Sequence, residues 1–175
     1  MNFVEKILAF ASWYDGRKEK KGNQGWEDAA FEKEMKSAGW YLGAAWCAFF
    51  VKMIFKKVFT NEPTFFGPIN RQFNGSAKQT ADNVEKAGDF ETGDVPEPGC
   101  IVVWLLGHGP SGHEAIVKSV DFKNNTMYCI EGNTNGAGSR EGDRVNANKP
   151  RTIKRAFQPN GLNVYKYIYP RLKKK

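Results

Sequence analysis

Cysteine and histidine are scarce in this chain of 175 residues, which has three Cys (47, 100, 129) and two His (108, 113). An odd cysteine count in a chain this long excludes a disulfide scaffold, and no C-x-x-C pair is present. No apolar run approaches the ~18 residues of a membrane span. The N-terminal "MNFVEKILAFASWYDG" carries Glu5 and lacks a basic leading region. It reads as an amphipathic helix rather than a signal peptide, so synthesis in the cytoplasm without a leader is expected, any export taking another route. Internal repeats, low-complexity tracts and linkers are also missing, which predicts a single domain.

What is present fits a folded protein. Aromatic residues make up 14% of the chain and hydrophobic ones 41%, a composition opposed to disorder. The formal net charge of +7 favours acidic partners such as nucleic acid, an anionic membrane surface or an anionic wall polymer, without choosing among them. The basic runs "RKEKKG" (17–22) and "RLKKK" (171–175) read as solvated surface.

Pattern divides the chain in two. Helices are predicted over 2–14, 26–39, 44–59 and 76–88, the last with Ser76 as N-cap and Gly88 just past its end. The stretch 60–75, punctuated by Pro63, Gly67 and Pro68, reads as loop. Strands are predicted over 100–106, 113–122, 126–132 and 162–170, with 134–150 as a pocket-lining loop. Helices followed by an antiparallel sheet make an α+β fold, with N-terminal helices packed on a central sheet.

The stretch "GAAWCAFF" (43–50) places Cys47 at the start of an apolar helix. Positions 47, 51, 54, 55 and 58 form its apolar stripe, with Lys52 and Lys56 opposite. A cysteine there can be an inert core residue. It can equally be a nucleophile, because unpaired N–H groups and the positive end of the helix dipole favour a thiolate. A nucleophile needs a histidine, and His113 opens a strand whereas His108 lies in a Gly/Pro-rich loop. The hairpin turning at "KNN" (123–125) returns the chain near His113 at "EGNTN" (131–135), where Glu131 or Asn133 can accept from the imidazole. Helix-starting Cys, strand-opening His and an acid one hairpin later together specify a papain-like arrangement.

"AAWCAFFVKMIF", "PGCIVVW", "SGHEAIVKSVD" and "MYCIEGNTNGAGSREG" resemble the CHAP family of cysteine amidases and endopeptidases, part of the NlpC/P60-like, papain-related peptidoglycan hydrolases. The match runs from about 40 to 145. The resemblance implies a papain-like, NlpC/P60-like fold, Cys47 as nucleophile, His113 as general base and acid, and Glu131 as the residue orienting it. Trp46 and Asn133 take supporting or substrate-binding places. It implies no metal and no cofactor. The implied substrate is bacterial peptidoglycan, cut between muramic acid and L-alanine or within its peptides through a thioester acyl-enzyme. With no wall-binding module or leader recognised, the expected setting is a phage lysin released through a membrane hole, or an interbacterial toxin delivered by a secretion apparatus and countered by an immunity protein. Nucleic acid is not expected as a partner. The alternative is a non-catalytic basic protein gripping wall polymer or nucleic acid, or a cysteine amidase acting on another amide.

Two departures from the family pattern stand out. Cys100 replaces an acid in the Pro-Gly-Asp turn, and Glu114 follows the histidine where an apolar residue is usual. Glu114 is expected on the opposite strand face from His113. "GHGPSG" (107–112) is literally G-x-G-x-x-G, but the segment after it reads as strand, so a dinucleotide site is not expected. His108, His113, Cys100 and Cys129 lack metal-ligand spacing. Cys100 and Cys129 fall on strands that could be neighbours, leaving buried thiols or a disulfide open.

Overall fold

The computed structural model describes residues 1–135 and 142–174. Five helices come first, α1 (Phe3–Trp13), α2 (Ala29–Ser37), α3 (Cys47–Val58), α4 (Pro63–Gln72) and α5 (Ala77–Ala87). Six strands follow, β1 (Phe90–Gly93), β2 (Ile101–Leu106), β3 (Gly112–Asp121), β4 (Thr126–Thr134), β5 (Arg144–Thr152) and β6 (Leu162–Leu172). They form one antiparallel sheet in the order β1-β6-β2-β3-β4-β5. The α+β class expected from the pattern is what the chain adopts.

Local chemistry sets the helix ends. Asn2 and Glu5 exchange side-chain-to-backbone bonds of 2.9 Å at the start of α1, a capping box that satisfies two otherwise orphaned donors. Asp28 caps α2. Ser76 caps α5, which ends at Gly88 in the left-handed region at φ 70°, both as predicted.

The expected loop 60–75 is mostly helix α4. Pro63 takes the first turn, where its missing N–H costs nothing, and Pro68 removes one internal bond. Packing compensates: Ile69 is fully buried, and Phe65 stacks on Phe59 with centroids 4.4 Å apart. Tertiary contact overrides the breakers.

The stripe predicted for α3 is broader than expected. Ala48, Phe49, Phe50 and Met53 are buried along with Cys47, Val51, Ile54, Phe55 and Val58. Such a helix must be covered on most sides. It lies on β3 and β4, and α1, α2 and α4 pack around it. Ile101, Val103, Ile116 and Ile130 meet this helical core, while Cys100, Val102, Trp104, Ala115, Val117 and Cys129 line a second cluster on the other sheet face.

Two strands escaped the sequence pattern. Strand β1 has four residues, and β5, "RVNANKPRT", lies in the stretch expected as a pocket-lining loop. Residues 136–141 of that stretch are outside the described residues. Asn, Lys and Pro are poor strand formers, but β5 is an edge strand, which tolerates Pro150. Cys100 and Cys129 are not on neighbouring strands. Strand β3 separates them, since Cys129 pairs with Val117 and Val117 N–H donates to the Cys100 carbonyl. Two strand spacings are about 9–10 Å, beyond the ~7 Å reach of a disulfide, and both thiols are free and buried.

Candidate active site

Three elements converge on Cys47. It is the first residue of α3, 8% exposed, and no side chain caps the helix because Trp46 holds the N-cap position. Strand β4 presses against this end of the helix at Gly132, where an added Cβ would lie 2.7 Å from Trp46 Cζ3 and 2.8 Å from Phe50 Cβ. Only glycine admits so close an approach.

His113 opens β3 opposite Trp104, and their rings stack with centroids 5.8 Å apart. Its Nε2 is 3.1 Å from Glu131 Oε2, and its Nδ1 has no hydrogen-bond partner. Glu131 is gripped from the other side by Arg151, whose Nε and Nη2 each lie 2.6 Å from a carboxylate oxygen. The Arg151 guanidinium also sits over the Trp104 ring, 5.5 Å from its centroid. His113 and Glu131 are fully buried. His113, Glu131 and Arg151 thus form a hydrogen-bonded chain across three strands, with Cys47 beside it at the helix start.

Charge follows from this geometry. Burial is the largest influence on the Cys47 thiol and pushes it up, but the charge of the neighbouring His113 and the N–H groups of Glu114 and Ala48 outweigh it, leaving the thiol below its ordinary value. Burial likewise pushes the imidazole down, and Cys47 and Glu131 raise it to about 9. For Glu131, burial raises the pKa while Arg151 and His113 hold it down at about 2. The other cysteines behave oppositely: burial drives Cys100 up to about 12 and Cys129 well above its usual range. The arrangement can therefore hold a thiolate beside an imidazolium at Cys47 alone among the three cysteines.

Each expected site residue has a definite place. Cys47, His113 and Glu131 come together, and Trp46 is buried directly before the thiol. Asn133 is apart from the Glu131–His113 contact. It adopts φ 55° where the β4–β5 pairing shifts register, and it lines a groove of about 780 Å³ with Lys18, Glu19, Asn135, Asp143 and Arg144. That bulge breaks the two-residue alternation by which Glu131 and Asn133 would share a face. Arg151 was not anticipated; burial alternates over 145–151 in the structure, but the polar composition of the segment hides that alternation in the sequence. Among the described residues no cluster of three or more His, Cys, Asp or Glu side chains could hold a metal ion.

Glu114 is the anomaly. It pairs with Val103 across β2 and β3, is fully buried, and neither carboxyl oxygen has a hydrogen-bond partner. Burial, with a smaller contribution from Cys47, holds its pKa well above the carboxylate range, so it is kept protonated. The native state then retains a proton that the unfolded chain releases above about pH 4.5, and this term lowers stability as pH rises. Glu114→Gln is expected to gain in stability on the wild type as pH rises above the ordinary carboxylate range. Urea unfolding across that rise in pH measures it, and parallel curves would refute it.

The site of this α+β domain is a thiol at a helix start beside an imidazole that is hydrogen-bonded to a carboxylate. The CHAP domain family model matches residues 37–133, over half of the chain, and the protein belongs to the CHAP family, a family of the peptidoglycan-hydrolase amidase and peptidase type. The fold is also similar to the crystal structure of Ly7917, with a TM-score of 0.52 at 19% identity over 95% of this chain and 62% of that one. At that identity the likeness concerns the fold alone, and this chain spans less than two thirds of that chain's length. No curated protein matches.

Proposed function

We propose that this chain is a papain-like, NlpC/P60-like cysteine hydrolase of bacterial peptidoglycan, an N-acetylmuramoyl-L-alanine amidase or peptidoglycan endopeptidase, acting as one catalytic domain. The observation carrying this reading is the Cys47–His113–Glu131 arrangement at the uncapped start of α3, inside the stretch matched by the CHAP model.

The thiolate of Cys47 attacks the carbonyl carbon, forming a C–S bond and an oxyanion that free N–H groups of the first α3 turn can hold. Collapse expels the amine, which takes its proton from the His113 imidazolium, and a thioester remains. Water then attacks as His113 takes its proton; the C–S bond breaks, the acid leaves and the thiolate is restored. Glu131 keeps the imidazole oriented and stabilises its charged form, and Arg151 keeps Glu131 ionised. Asn133 contributes a polar contact to substrate from the groove wall. The net positive charge draws the enzyme to an anionic wall.

The setting that fits is the cell wall, reached as a phage lysin or as a delivered toxin, the latter with an immunity protein over the Cys47 cleft. Digestion of purified sacculi, with mass spectrometry of the soluble fragments, tests the reading. New L-alanine amino termini identify the amidase, and new termini within stem or bridge peptides identify the endopeptidase. No fragments from folded protein on several wall types would instead favour another amide substrate or a non-catalytic wall binder.

A further inference from the structure

The N-terminal hairpin around residues 18–26 lies outside the CHAP match, yet it touches the segment that presents Cys47 at two points. Asn23 accepts from the backbone N–H of Gly43 at 2.8 Å, and Glu19 Oε2 accepts from the indole N–H of Trp46 at 2.5 Å. Trp46 is fully buried, and its ring is met edge-on by Trp26, Phe31 and Phe50. An aromatic cluster of this kind fixes where a ring sits, but a buried indole also needs an acceptor that fixes which way its N–H points. Trp26 makes the contrast, because its buried Nε1 has no partner.

Glu19 is itself held. Its N–H donates to the Asp143 carbonyl at 2.7 Å and its backbone bridges to Trp26. A carboxylate accepting from an indole N–H is a charge-assisted bond, about twice as strong as a neutral one. Trp46 occupies the N-cap of α3 without capping it, so its backbone carries the thiol while its side chain is committed elsewhere. Any tilt of the ring passes directly to the Cα of Cys47, whose sulfur must meet both His113 and the Glu114 N–H.

We propose that Glu19 is a positioning residue for Cys47, acting through the indole of Trp46. This rests on the reading of Cys47 as the nucleophile. Glu19→Leu removes the acceptor and keeps the bulk, Glu19→Gln keeps an acceptor, and Trp46→Phe removes the donor. Misplacement of a reacting group by an ångström can cost about a hundredfold in rate. Glu19→Leu is expected to lower kcat on purified muropeptide by about ten- to a hundredfold with KM within about twofold. Iodoacetamide alkylation of Cys47 at pH 7 should slow in parallel. Glu19→Gln should restore both to within about threefold. In the Trp46→Phe background, Glu19→Leu should add little further loss, the signature of residues acting as one unit.

Additive losses in that background, or a Gln variant as impaired as the Leu variant, would overturn the proposal. A change in KM alone would also overturn it, by showing that Glu19 meets substrate from the groove. The alkylation rate reads Cys47 without any substrate, so failure of the wild type on peptidoglycan, which would sink the proposed function, is distinguishable from failure of the positioning role.

Discussion

Replacing Cys47 by alanine is expected to abolish hydrolysis, with a fall in kcat of at least about 10⁴-fold, while the fold stays intact. Cys47 is 8% exposed and loses only its sulfur, so the stability cost should be about 1 kcal/mol. The thiol and imidazole each hold the other's charged form, which places the reactive window between a lowered Cys47 pKa and a His113 pKa raised to about 9. Below that window the thiolate is protonated and the rate falls; above it His113 loses the proton that the leaving amine needs. Alkylation with iodoacetamide should therefore label one cysteine per wild-type chain at pH values well below the ordinary thiol range, and none in Cys47→Ala. Cys100 and Cys129 stay silent because burial keeps them protonated and inaccessible. Substantial turnover by Cys47→Ala would remove the thiol from the mechanism.

Removing Arg151 should have the largest effect on stability. Its bidentate pair with Glu131 is nearly dry, with 14% of the arginine side chain and none of the glutamate exposed. Truncating one partner of such a pair strands the other charge, a loss of about 3–5 kcal/mol. Arg151→Met is expected to cost that much in urea unfolding at pH 7. Glu131 contributes stability that is present above its unfolded pKa of about 4.5 and lost as pH falls towards 2. Without Arg151, burial raises the Glu131 pKa, so acid unfolding should begin at higher pH. Arg151→Lys should recover only part, because an ammonium cannot match both carboxylate oxygens. Wild-type acid stability in Arg151→Met would show that the pair does not hold Glu131 ionised.

The two variants separate chemistry from its scaffold, and the sequence reveals them unequally. Cys47 and His113 are visible because their signals are local: a helix-start position after Trp46, and a strand opening after a Gly/Pro-rich loop. Glu131 is visible because one short hairpin fixes its distance from His113 in the chain. Arg151 and Glu19 act on the same site from 20 residues beyond Glu131 and 27 residues before Trp46, and no periodicity connects them to it.

The sequence by itself determined the α+β order, the capped ends of α5 and the strands with β-branched or alternating pattern, and it put forward Cys47, His113 and Glu131 as a thiol, an imidazole and an acid that could work together. These follow from periods of 3.6 and 2 and from capping chemistry, which are properties of neighbouring residues. Only the tertiary structure decided that 63–72 is helical despite two prolines, that the polar segment 144–152 pairs as an edge strand, and that β3 keeps Cys100 and Cys129 apart. It also decided that a bulge turns Asn133 towards the groove, and that Glu114 lies unpartnered in the core. In each case the deciding energy is burial or pairing between segments distant in the chain, which exceeds local propensities of about 1 kcal/mol or less per residue.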